Sequence, residues 1–139
     1  MFLKITVVAA ALGSGFVMGQ TPGPVAFRCA AAGPGQGACS GFVTEFCTTL
    51  HTTTFRGKQS ASECYVNGNV SCLMLVWNNE PASNTGEISF DLASCQAVLS
   101  NVTVCASGAG SGNAGEPFHW FTKGNTDNHM CSPQDISLL

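Results

Sequence analysis

Charge is what this sequence has least of. Only 9% of its 139 residues are Asp, Glu, Lys or Arg, and the five basic residues never cluster. Neutralising a run of phosphates takes grouped Lys and Arg, so nucleic-acid binding is excluded. Beyond residue 18 no apolar run approaches the ~20 residues that a membrane-spanning helix needs. There is no Cys-x2-4-Cys pair and the three histidines are scattered, which argues against a metal knuckle. A phosphate-cradling loop, a Gly-x-Ser-x-Gly elbow and a His-Glu-x-x-His motif are all missing. The carboxylates are few, and no spacing among them points to the pair that glycoside hydrolysis requires. The absence of a Cys-Cys doublet sets the chain apart from fungal hydrophobins, and no internal repeat is present.

What the chain does have begins with a leader. A short basic start, Met1 to Lys4, runs into an apolar stretch from Ile5 to Met18, with Val17 and Gly19 placed for a cut before Gln20. This predicts a signal peptide over 1–19 and a single secreted domain over 20–139, with no cofactor. Formal charge is −3, or −4 once Lys4 is lost. All eight cysteines fall in the mature part: Cys29, Cys39, Cys47, Cys64, Cys72, Cys95, Cys105 and Cys131. An even count in a small extracellular chain implies a disulfide framework whose pairing the sequence does not choose. Two sequons, at Asn69 and Asn101, fit passage through a secretory pathway.

Ser71-Cys-Leu-Met-Leu-Val-Trp77 is the one long apolar run of the mature chain. Leu73, Leu75 and Trp77 fall on one side of a strand, and Cys72, Met74 and Val76 on the other. Both faces therefore call for burial, and the strand is expected inside a sheet with a helix over each face. Cys39, Phe42, Val43, Phe46, Cys47 and Leu50 form an apolar stripe that predicts a first helix over about 38–50. Leu92, Cys95, Val98, Leu99 and Val102 predict a second, over about 92–104, with Asp91 as its N-cap. Asn67-Gly68 marks a hairpin between 63–66 and 71–77, in a register that would bring Cys64 near Cys72. Residues 20–37 are expected as an irregular arm tied down by Cys29, with room for a short edge strand at Val25–Cys29; 107–115 is expected as a Gly-Ser connector, and Phe118–Lys123 as the last strand. The expected fold is α+β: a small disulfide-stapled α/β sandwich, with a mainly antiparallel sheet of three to four strands covered by helices. Some bridges are expected to pin helices to sheet.

The segment Ala38-Cys-Ser-Gly-Phe-Val-Thr-Glu-Phe-Cys47, the hairpin cysteines before an apolar strand ending Trp77-Asn78, and Ser94-Cys95 leading a helix toward Cys105 resemble a known family. With the Gly-rich linker, the aromatic strand and the closing Cys131, they are similar to small secreted proteins of basidiomycete mushrooms typified by a glycan-binding lectin of the ink cap. The resemblance spans about 29–131. It implies alternating helices and strands in an α/β sandwich and binding of N-acetylhexosamine-containing glycans. No binding residue transfers individually.

Sugar recognition needs an aromatic face for the C–H side of a pyranose and fixed polar groups for its hydroxyls and acetamide. Trp77-Asn78-Asn79 offers both at a strand end. His119 or Trp120 in the last strand, and Tyr65 on the hairpin, are further candidates. Each competes with a plainer role: Trp77 as core, the asparagines as turn formers, and at least one aromatic of 118–121 buried. The expected function is a secreted lectin-like, non-catalytic glycan binder. A small hydrolase using His51 or His119 with a glutamate and Arg56, or a protein-interaction role, is the alternative. Oligomeric state is not fixed by the sequence.

Overall fold

A computed structural model describes residues 23–31, 35–115 and 117–126. The proposed leader and Cys131 lie outside the described residues. Strand β1 (Ala26–Cys29) is followed by a 3-10 turn (Ser40–Phe42) and helix α1 (Val43–Leu50). The hairpin β2 (Ser60–Asn67) and β3 (Val70–Asn78) leads through a long loop to α2 (Leu92–Val102), then β4 (Ala109–Asn113) and β5 (Phe118–Asn125). All five strands join one antiparallel sheet in the order β1-β4-β5-β3-β2. The α+β class is as expected, with five strands rather than three to four. Among the described residues, no helix is long and apolar enough to cross a membrane.

The β2–β3 turn closes on two residues, because Asn67 pairs directly with Val70. Gly68 takes φ +62, a value that costs glycine no steric clash, and starts the turn. The pairing sets Cys64 against Leu73 and Tyr65 against Cys72. Cys64 and Cys72 therefore lie on opposite faces, and the cross-strand bridge suggested by the sequence does not form. Cys72 joins Cys39 instead, Cys47 joins Cys95, and Cys29 joins Cys105. Cys64 is disulfide-bonded too. Of the three resolved pairs, one fixes the entry of α1 to β3 and another ties the two helices together.

Both helices lie on the same face of the sheet, contrary to the expectation of one on each side. Val43, Phe46 and Leu50 of α1 and Val98, Leu99 and Val102 of α2 share a single core with Cys72, Met74, Val76, Phe118 and Trp120. The reason is visible in the bridges. Cys72 points to the helix side and anchors α1 there, and Cys47–Cys95 holds α2 beside it. Phe55 and Phe90 close one end, making edge contacts with Phe118 at 5.6 Å each. Asp91 caps α2 as expected, its Oδ2 accepting from the Ser94 N–H at 2.9 Å.

Strand β4 corrects the reading of 107–115 as a connector. Its Gly110 and Gly112 face α2, and a Cβ on Gly112 would fall 2.8 Å from Val98 Cγ1 and 2.7 Å from the Ala26 carbonyl oxygen. Glycine here permits a close approach of helix to sheet, although its frequency in the segment suggested a flexible link.

Candidate functional site

With both helices on one side, no helix lies over the opposite sheet face among the described residues, although Ser71 and Leu73 on that face are buried. Odd-numbered residues of β3 and β5 point there: Leu73, Leu75 and Trp77 beside Lys123, Phe121 and His119. Trp77 and His119 are direct cross-strand partners, and their rings stack with centroids 5.3 Å apart and planes 23° off parallel. Both are half-buried, so each keeps ring surface open to solvent. The next row pairs Leu75 with Phe121, also half-buried. Together these four side chains make a half-buried, largely apolar plate. Ser60 and Ser62 of β2 border it on one side, and Ser111 and Asn113 of β4 on the other.

The end of the plate is fixed by a hydrogen-bonded corner. The Lys58 ammonium donates to Asn79 Oδ1 at 3.0 Å and to the Asn79 carbonyl at 3.1 Å. The Asn79 N–H donates to the Pro117 carbonyl, which ties the β3 exit to the start of β5. His119 is held below the ordinary histidine range, first by burial and then by the Lys58 charge. At neutral pH the imidazole is therefore uncharged, with one nitrogen donating and the other accepting.

The candidates named from the sequence separate into two groups. Trp77 and His119 come together on the open face, with Asn79 at its exposed rim. Asn78, Trp120 and Tyr65 lie on the helix side. Trp120 is 0% exposed and packs against Phe90 at 5.7 Å. Asn78 is 1% exposed, donating from Nδ2 to the Phe55 carbonyl and accepting at Oδ1 from the Glu80 N–H. These two residues offer no surface to a ligand. Tyr65 stacks on Phe42 at 4.8 Å, and burial, then Glu63, then Glu45 push its hydroxyl up to about 12. Phe121 and Leu75 belong to the plate, and Ser111 and Asn113 to its border, without having been singled out. Strict alternation from His119 would have found Phe121; nothing in a glycine-rich segment announces Ser111 and Asn113.

A hydrolytic centre gains no support from the geometry. His51 sits at the end of α1, its Nδ1 at 2.8 Å from the Thr48 carbonyl, on the helix side of the sheet from His119. Arg56 is engaged by Glu87 at 3.0 Å. The charge that acts on His119 is a cation, which weakens it as a base, not a carboxylate that would strengthen it. Among the described residues no three His, Cys, Asp or Glu side chains are grouped to hold a metal ion.

These features define a small disulfide-stapled α+β domain in which one sheet face, free of helix among the described residues, carries half-buried aromatic side chains bordered by hydroxyl groups. Residues 38–131, more than half of the chain, match the family glycan binding domain Y3, and the chain belongs to that family. It is a glycan-binding protein by that membership. A search of curated proteins gave no match.

Proposed function

We propose that the chain is a secreted, non-catalytic lectin-type protein that binds N-acetylhexosamine-containing glycans across its open sheet face. The observation that carries the reading is the Trp77–His119 stack, two half-buried rings on a face that has no helix over it among the described residues. A pyranose would lay its C–H side on these rings, and the rim of Ser60, Ser111, Asn113 and Asn79 would meet its hydroxyls and acetamide. The leader over 1–19, the disulfide framework and the low charge density support secretion. Asn69, at the turn of the β2–β3 hairpin, and Asn101, on α2, are both exposed and distant from the plate, so glycans attached there would leave it open.

Calorimetric titration with an N-acetylhexosamine oligosaccharide and its hexose-only counterpart tests the proposal. The acetamido form should bind more tightly, and Trp77→Ala should remove about 2 kcal/mol of that binding with circular dichroism unchanged. Failure of folded protein to bind either sugar, or full affinity in Trp77→Ala, would sink the reading. Sequencing the amino terminus of protein recovered from culture medium should begin at Gln20.

A further inference from the structure

The chain is acidic overall, yet the described cations that have no ion pair collect on the open face. Four basic residues fall within the described part: Arg28, Arg56, Lys58 and Lys123. Arg56 is held by Glu87. Among the described residues the other three have no carboxylate within ion-pair distance. Arg28 shares a row with Ser111 and Phe121, Lys123 shares one with Leu73, and Lys58 acts on His119 at the end of the plate. The described carboxylates lie elsewhere. Glu45 is on α1, Glu63 faces the helix side opposite Met74, Asp91 caps α2, and Glu80 and Glu87 lie beyond the exit of β3. No described carboxylate stands on the open face.

A shallow groove of about 360 Å³ runs beside His119 over β4 and β1, and Arg28, Ser111 and Asn113 line it. Arg28 is exposed and its guanidinium makes no hydrogen bond or ion pair among the described residues, so its fork of donors is free. From the strand spacing and residue rise, Arg28 and His119 are about 12 Å apart at Cα, within the reach of a disaccharide between two long side chains.

We propose that this groove is a subsite for an acidic group on the glycan, a carboxylate or a sulfate, received by Arg28. The inference rests on the reading of the Trp77–His119 plate as the sugar platform. One ring lies on the plate, and the neighbouring unit places its anion at the guanidinium, with Ser111 and Asn113 supplying neutral hydrogen bonds. Arginine suits this position because its planar fork meets two oxygens at once. Without a carboxylate on the face, nothing in the described part competes for it.

The test is calorimetry with one N-acetylhexosamine oligosaccharide in three forms: neutral, sialylated and O-sulfated. Wild-type protein should bind one or both acidic forms about tenfold more tightly than the neutral form. The preference should shrink as salt rises. Arg28→Ala should collapse it to near unity, and Arg28→Lys should keep only part. Gain with the sialylated form alone assigns a carboxylate, and gain with the sulfated form alone assigns a sulfate. Equal binding of all three forms by wild type, or an acidic preference that survives Arg28→Ala, overturns the subsite while leaving the sugar platform standing. Absence of binding by any form, the neutral one included, defeats the platform and the subsite together.

Discussion

The two faces of the sheet are built from the same strands and carry different loads. On the helix side, Cys72, Met74, Val76 and Trp120 are all 0% exposed, and two disulfides bind the covering helices in place. On the open side, Leu75, Trp77, His119 and Phe121 are only half-buried and have no helix over them among the described residues. Removing apolar surface from water stabilises the first face, by about 25 cal/mol per Å². The second keeps apolar surface in water, a standing cost that a ligand can relieve. Stability is thus concentrated on one face and binding surface on the other.

The two tryptophans separate these loads most sharply. Trp120→Ala would leave a cavity beneath α2 and should cost about 3–5 kcal/mol, read as a fall in the denaturation midpoint. Trp77→Ala, on the neighbouring strand and next to Val76, the cross-strand partner of Trp120, should cost far less stability while removing glycan binding. If Trp77→Ala unfolded the chain as readily as Trp120→Ala, the division between the faces would be wrong.

Gly112 tests how closely α2 is pressed onto β4. A Cβ there meets Val98 Cγ1 of α2 at 2.8 Å, and the Ala26 carbonyl oxygen of β1, at 2.7 Å, leaves it no room on the other side. Gly112→Ala should therefore destabilise by about 1–3 kcal/mol, an overpacking cost. Ser111→Ala, one residue earlier and facing the other way, should leave the melting temperature almost unchanged. Equal effects at both positions would mean that the helix does not bear on this strand.

Much of this division was legible in the sequence, and the part that was not has definite causes. The helix stripes, the Asp91 cap, the hairpin and the interior place of β3 follow from periodicity and turn chemistry, which are local. Which face each helix covers is not local. Ser71–Trp77 is apolar on both sides, and that pattern fits a helix on each face as well as it fits one covered face and one binding face. Position within 118–121 had the same ambiguity: alternation paired His119 with Phe121 against Phe118 with Trp120, but only the packed sheet says which pair is inside. Cys64 and Cys72 looked like partners because both sit in one hairpin, and a pairing offset of one residue sent them to opposite faces. The strand β4 was hidden by composition, since glycine marks close approach as well as flexibility.

A smaller effect belongs to the cap. Asp91 Oδ2 accepts from both the Ser94 N–H and its hydroxyl, at 2.9 and 3.1 Å. Asp91→Ala should cost about 1 kcal/mol of stability. Because α2 touches only the covered face, glycan affinity measured well below the melting temperature should not move. A change in affinity would show that the helix side and the open side are coupled.

The least effect, and the one that tells the faces apart by titration, comes from pH. Tyr65 is the chain's single tyrosine and lies on the helix side, its hydroxyl pushed up to about 12 from 10.0. Between those values the folded state keeps a proton that the unfolded state releases, so stability falls as pH rises through that window. His119, on the open face, is lowered from 6.5. As pH drops below 6.5 the unfolded chain takes up a proton before the folded one does, so stability falls with acidification there. Melting temperature followed against pH should thus decline on both limbs, with Tyr65→Phe flattening the alkaline limb alone and His119→Gln the acid limb alone. The tyrosinate absorbance should rise only well above pH 10. Glycan affinity should weaken on the acid side, where protonation charges the ring that stacks on Trp77 beside Lys58, and His119→Gln should remove that acid-side loss. An affinity that holds constant through the acid limb in the unaltered protein would take His119 out of the sugar platform and leave Trp77 to carry it alone.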